Sequence, residues 1–225
     1  MTRPLAVFDL DGTLVETGPD LADSCNQVLA ARGLPTVPQE VLSPFIGVGA
    51  RKMIGGALKA SGLSLDEATI DDIFRDYIEH YASRIARLSR PFPEMSAALD
   101  ALDEAGVASA ICTNKLEKLA KLLIAELGMT ERFAFIAGSD TFGVSKPDPR
   151  HLTDTVAAAG GAVNRMVYVG DSRIDRETAA AARVPFVGID YGYTDKPMRE
   201  LAPERLLSRG DDVAAAILAL MPPAH

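Results

Sequence analysis

Two carboxylates, Asp9 and Asp11, flank Leu10 at the end of the apolar run Leu5-Ala6-Val7-Phe8, and Gly12 and Thr13 follow them. Like charges this close resist joint ionisation, and a divalent cation that favours hard oxygen ligands, Mg²⁺ above all, relieves the repulsion. A strand ending in an Asp-Gly turn uses the same residues for turn geometry alone, so this stretch leaves turn and site equally open. Further polar groups recur downstream. Thr113-Asn114-Lys115 follows an apolar run over 107–112, and Lys146 lies within Val144-Ser145-Lys146-Pro147-Asp148-Pro149. Gly170-Asp171-Ser172 follows another apolar run over 166–169, with Asp175 a helical turn later. Carboxylates suit a metal, whereas a hydroxyl, backbone amides and ammonium groups suit phosphate oxygens. Both sets in one crevice suit phosphoryl transfer. Each also has a plain reading: Thr113-Asn114 as a helix cap, Lys146-Pro147 as an exposed loop, and Asp175 as a first-turn acid favoured by the helix dipole. Asp171, directly after Tyr168-Val169-Gly170, is the hardest to place on a surface.

These groups meet only if the elements behind them build one sheet. An unbroken apolar run such as 5–8 reads as a strand buried on both faces, as in parallel sheets. Chemistry in open α/β sheets gathers at the carboxyl ends of the strands. After the first strand, helical spacing over 19–32 (Leu21, Cys25, Val28, Leu29) stops at Gly33. A short stretch at Val41-Leu42 and a glycine-bearing turn over 44–49 precede a helix to about residue 61. Residues 66–87 read as one long helix with Ile70, Ile73, Phe74, Tyr77, Ile78 and Tyr81 on one face. From Pro93, helices over 95–104, 116–127, 149–159, 173–183 and 211–220 alternate with strands over 107–112, 133–137, 166–169 and 185–189. Such alternation implies right-handed βαβ units and a doubly wound parallel sheet. The expected organisation is an α/β core, 1–15 plus 88–225, with a helical domain, 16–87, inserted after the first strand. Gly18, Pro19, Pro91 and Pro93 at the junctions suit paired hinge strands. An insert there overhangs the carboxyl edge of the sheet, where a lid belongs.

Composition narrows the partners. The 225 residues carry a net charge of −8, with 48% hydrophobic and 24% charged residues, ordinary for a soluble globular chain. The acidic balance argues against nucleic acid and against an anionic membrane surface, both of which need a basic face. A small phosphorylated metabolite remains compatible, because a metal and a few Lys or Arg set the local field. Cys25 and Cys112 stand too far apart for a metal-binding spacing, and two cysteines imply no disulfide framework. No segment approaches the ~20 apolar residues of a membrane span, and no apolar signal region follows Met1-Thr2-Arg3-Pro4. The expectation is a cytoplasmic protein, monomer or homodimer.

Asp9-Leu10-Asp11-Gly12-Thr13, Thr113, Lys146-Pro147 and Gly170-Asp171-Ser172-Arg173-Ile174-Asp175, in that order, resemble the four signatures of the haloacid dehalogenase superfamily. The resemblance covers essentially the whole chain and implies a Rossmann-like core with an inserted α-helical cap. Within the superfamily the likeness is to phosphoglycolate phosphatases, through Gly18-Pro19-Asp20-Leu21, Thr113-Asn114-Lys115, Lys146-Pro147-Asp148-Pro149 and Val184-Pro185. It implies that Asp9 is a nucleophile forming an aspartyl-phosphate, and that Asp11 is general acid and then base. Mg²⁺ is implied on the Asp9 carboxylate, the Asp11 backbone carbonyl and Asp171, with Asp175 in support. Thr113 then holds a phosphate oxygen beside the backbone N–H groups of Leu10, Asp11 and Asn114, and Lys146 neutralises nucleophile and phosphoryl group.

In members with such a cap, a loop between cap helices completes the pocket; the candidate here is Gly47-Val48-Gly49-Ala50-Arg51-Lys52. N–H groups at Gly49 suit an anion at a helix start, and Arg51 suits a carboxylate such as that of 2-phosphoglycolate. Solvated helix residues are the equal alternative for Arg51 and Lys52. Lys115 reads either as a second phosphate contact or as a helix-start lysine. A sugar phosphate mutase, a pyrophosphatase, a broad small-phosphate phosphatase and a non-catalytic phospho-receiver remain open. Dehalogenase chemistry is disfavoured, since those members lack the second aspartate and need no metal. A phosphonate hydrolase needs a cap lysine for a Schiff base, and nothing marks Lys52 or Lys59 as desolvated. Glu16-Thr17 departs from the Asp-Ser usual in such phosphatases.

Overall fold

In a computed structural model, residues 3–223 are described; positions 1, 2, 224 and 225 of the expected core segments lie outside them. The first strand, β1 (Leu5–Phe8), is followed by the short β2 (Val15–Glu16). Four helices come next: α1 (Gly18–Ala31), α2 (Gln39–Ile46), α3 (Ala50–Ala60) and α4 (Glu67–Ala82). The chain returns through β3 (Arg90–Pro91) and then alternates: α5 (Pro93–Glu104), β4 (Ala108–Cys112), α6 (Glu117–Glu126), β5 (Phe135–Ala137) and α7 (Pro149–Ala158). It ends with β6 (Met166–Gly170), α8 (Arg173–Ala182), β7 (Phe186–Ile189), β8 (Arg205–Leu207) and α9 (Val213–Leu220).

The sheet order is β5-β4-β1-β6-β7-β8, every pair parallel. Alternate residues of β1 serve opposite faces, as strand geometry requires. Ala6 and Phe8 pack with Met95 and Leu99 of α5 and Leu123 of α6, whereas Leu5 and Val7 pack with Leu152 of α7 and Ala179 of α8. Burial on both faces explains why β1 is apolar without alternation. The chain runs from β1 outward to β4 and β5, then crosses back to β6 on the other flank of β1. That reversal opens a crevice at the carboxyl end of β1.

The helical stretch leaves and re-enters the sheet side by side. β2 pairs antiparallel with β3, Val15 opposite Pro91 and Glu16 opposite Arg90. Asp20, buried at the start of α1, accepts hydrogen bonds from the N–H groups of Leu88 and Ser89 and from Ser89 Oγ, at 2.7–3.0 Å. A carboxylate satisfied by several donors is stable despite burial.

Three elements differ from the expectation. Pro44 lies inside α2 rather than opening a turn, because Leu42 and Ile46, one turn apart, both bury and hold the helix through it. The long helix stops at Ala82, after which residues 83–86 form turns and 87–88 a bend ahead of β3. The edge strand β8 was not anticipated; only Leu207 of its three residues is buried, so it carries almost no apolar signal. Among the described residues no helix is long and apolar enough to cross a membrane.

Candidate active site

The crevice collects carboxylates. Asp9 continues the ladder past β1, its N–H bonding Val169 O at 2.9 Å, and Asp171 follows β6. Oxygens of Asp9, Asp171 and Asp175 lie within 4.8 Å of one another, and all three residues are buried. Burial is the main cause that pushes the Asp9 carboxyl up to about 7; Lys146 opposes it, and the charges of Asp175 and Asp11 add to it. Asp171 is raised well above the carboxylate range by burial and then by Asp175 and Asp9. Asp9 Oδ1 is 2.8 Å from Lys146 Nζ, a buried ion pair. Crowded carboxylates that resist ionisation fit a bound cation.

Asp171 is held from both sides. Thr13 Oγ1 donates to Oδ1 at 2.6 Å, and the N–H of Tyr193 donates to Oδ2 at 2.5 Å. Gly12 adopts φ +86°, and a Cβ there would meet Asp171 Oδ2 at 2.6 Å; a Cβ at Gly192 would meet it at 2.2 Å. The backbone must therefore pass this carboxylate without side chains.

Asp175 is spent on the protein. Its Oδ1 accepts from Lys146 Nζ at 2.6 Å and from the Tyr168 hydroxyl at 2.7 Å. Its Oδ2 accepts from the Ser172 N–H and hydroxyl, closing a capping box at the start of α8. Lys146 is thus fixed between Asp175 and Asp9, and those two charges outweigh burial and hold its ammonium above the ordinary lysine range. Asn114 ties this loop down: its Oδ1 accepts from the Lys146 N–H at 3.0 Å, and its Nδ2 donates to the carbonyls of Lys146 and Gly47. Thr113 is buried beside them, its Oγ1 accepting from the Lys115 N–H.

A model of the haloacid dehalogenase-like hydrolases matches residues 6–189. The chain belongs to that family. It is 47% identical over 211 residues to a phosphoglycolate phosphatase of Mesorhizobium japonicum, covering 94% of this chain and 93% of that one. To a phosphoglycolate phosphatase of Agrobacterium fabrum it is 46% identical over 217 residues, covering 96% and 92%. A crystal structure described as a predicted phosphoglycolate phosphatase from Haemophilus somnus superposes with a TM-score of 0.85 at 28% identity, covering 96% and 97%.

In this haloacid dehalogenase-like hydrolase Asp11 stands apart from the three clustered carboxylates. Lys115 Nζ lies 2.8 and 3.0 Å from its two oxygens, and both side chains are buried. The ammonium also lies 4.8 Å from the centroid of the Tyr81 ring on α4. A cavity of about 310 Å³ opens here, between the helical stretch and residues Asp11, Asn114 and Lys115. Gly49 and Arg51 line it. Arg51 is half exposed, and its guanidinium bonds Glu67 and Asp71 around α4. Two acids within reach on α4 engage the guanidinium fork. Gly49, at φ +107°, turns the chain into α3 directly beneath Asn114.

The sequence assigned no role to Thr13, Tyr168 or Ser172, although Thr13 and Ser172 stand within the signatures, and it did not point to Tyr193. Ser172-x-x-Asp175 is a readable capping pattern. Tyr168 sits within an apolar strand and Tyr193 in an irregular loop, so neither carried a signal.

Proposed function

We propose that this hydrolase is a cytoplasmic, Mg²⁺-dependent phosphomonoester hydrolase acting on 2-phosphoglycolate through an aspartyl-phosphate. One observation carries the reading: the two aspartates of the first signature have separate lysines. Asp9 has Lys146 and the carboxylate cluster, and Asp11 has Lys115. That division suits a nucleophile and a proton carrier on opposite sides of one phosphorus atom.

Mg²⁺ would be held by Asp9, Asp171 and the Asp11 backbone carbonyl, with Asp175 behind them, and would neutralise charge on the phosphoryl oxygens. An Asp9 carboxylate oxygen forms a bond to phosphorus as the ester oxygen leaves, and Asp11 supplies that oxygen's proton. Asp11 then accepts a proton from water, whose oxygen attacks phosphorus and returns Asp9 as a carboxylate with release of phosphate. Lys146 offsets the charge that builds on Asp9 and the phosphoryl group, already oriented by Asp175, so little reorganisation is needed. Thr113 and nearby N–H groups hold the remaining oxygens. Residues 16–87 act as the cap, and the β2–β3 pair as its hinge. The free thiols of Cys25 and Cys112 support a reducing compartment.

The apolar walls of the cavity, among them Leu21, Ile46, Val48 and Phe74, favour a small leaving group over a sugar, whose hydroxyls would lose water without partners. Phosphate release is measured from 2-phosphoglycolate, β-glucose 1-phosphate, pyrophosphate and phosphonoacetaldehyde, with and without Mg²⁺. Mg²⁺-dependent preference for 2-phosphoglycolate is expected. Equal turnover of the panel would overturn the substrate, and a stable phosphorylated protein without turnover would overturn the enzyme.

A further inference from the structure

Three cations line the cavity: Arg51, Lys52 and Lys115. Arg51 is committed to Glu67 and Asp71, and Lys52 is exposed. Lys115 is the buried one, at 8% exposure, and it has two neighbours that matter. Its ammonium bridges both oxygens of Asp11 and rests on the Tyr81 ring. The hydroxyls of Tyr81 and of Tyr77, which stack one turn apart at a ring separation of 5.8 Å, are buried without hydrogen-bond partners. The cavity therefore ends in a buried ammonium that is paired with Asp11 and lies against one aromatic face.

We propose that Lys115 is the residue that selects the substrate, by binding a carboxylate on the leaving group, and that Tyr81 holds its ammonium in place for that task. The inference rests on the reading of 2-phosphoglycolate as substrate. A leaving oxygen that receives its proton from Asp11 must lie within hydrogen-bond reach of Asp11. In 2-phosphoglycolate the carboxylate is one methylene from that oxygen, so an ammonium already on Asp11 reaches it without moving far. Lys146 lies on the nucleophile side, with Asp9 and Asp175, whereas Lys115 is the buried cation beside Asp11, where the leaving group departs. A monoester without the carboxylate would bring only an apolar group to a buried ammonium. Such a group gains no charge-assisted contact and leaves the ammonium to Asp11 alone, and losing a polar contact discriminates more strongly than a missing methylene.

The test compares kcat/KM for 2-phosphoglycolate and for ethyl phosphate, which replaces the carboxylate by a methyl group, with Mg²⁺ present. The wild type is expected to prefer 2-phosphoglycolate. Lys115→Met lowers that preference by at least about 100-fold, chiefly through a higher KM for 2-phosphoglycolate. Lys115→Arg keeps the charge but displaces it and lowers the preference by a smaller factor; it supplies the readout if the methionine variant does not fold. A lysine that merely positions Asp11 would slow both substrates alike and leave the ratio unchanged, and that result overturns the inference. So does a ratio that collapses in Arg51→Met but survives in the Lys115 variants. A wild type without the preference overturns the substrate reading itself, which separates the two failures.

Discussion

Lys146 Nζ and Asp175 Oδ1 stand 2.6 Å apart, and neither side chain is more than 1% exposed. With its other oxygen capping α8 through Ser172, Asp175 acts on the site through the lysine that it orients. Removing one member of a buried pair leaves a charge without compensation, at a cost of about 3–5 kcal/mol. Asp175→Asn keeps the cap acceptor but loses the charge. It is expected to lower the unfolding free energy by about 2–3 kcal/mol, and turnover by about 100-fold. Urea unfolding and steady-state phosphate release check both.

Asp9→Asn tests the nucleophile. Turnover is expected to fall by about 10⁴-fold or more, with the fold intact. The melting temperature in the absence of metal should hold or rise, because a charge crowded by Asp171 and Asp175 is removed while Lys146 keeps its second partner. Thermal melting beside an activity assay decides it; full activity would refute the assigned nucleophile.

Cation binding should depend on pH. The Asp9 carboxyl, raised to about 7 by burial, must give up its proton to serve as a ligand, so protons compete with metal. The rise in melting temperature produced by Mg²⁺ is expected to be small well below pH 7 and to grow as pH passes it. Asp171→Asn should abolish that rise at every pH. Scanning calorimetry with and without the ion, across a pH series, is the measurement.

His151 predicts acid sensitivity of the fold itself. The ring is buried, with Nε2 3.0 Å from Gly138 O, and burial followed by the Lys146 charge lowers it from 6.5 to about 4. The unfolded chain thus binds the proton more readily than the folded one. Stability from this residue is full above pH 6.5 and declines as pH falls toward about 4. His151→Gln, which retains a donor for Gly138 O, should flatten that part of the stability curve, read by denaturant unfolding at several pH values.

Tyr193 joins the acid cluster to the hinge. Its N–H bonds Asp171, and its hydroxyl accepts from the buried N–H of Gly18 at 2.7 Å. Tyr193→Phe leaves that N–H unsatisfied, at a cost of about 1–3 kcal/mol, while the backbone bond to Asp171 survives. Stability should drop, and Mg²⁺-induced stabilisation should persist.

The chain order alone determined the α/β class, most strand positions, and the identity of Asp9, Asp11, Thr113, Lys146 and Asp171 as residues at strand ends or in a loop facing them. Those features are local: apolar runs, helix-breaking glycines and polar residues just beyond a strand follow from backbone and burial rules acting over a few residues. Tertiary structure decided which charge meets which. Lys115 is 104 positions from Asp11, Thr13 is 158 from Asp171, and Gly18 is 175 from Tyr193; no local periodicity links such pairs. Arg51, the attractive carboxylate reader in the sequence, meets Glu67 and Asp71 because helix packing brings α4 beside α3. Lys115, a second phosphate contact or a helix-start lysine by sequence, is buried on Asp11 because β4 lies next to β1 and delivers it there.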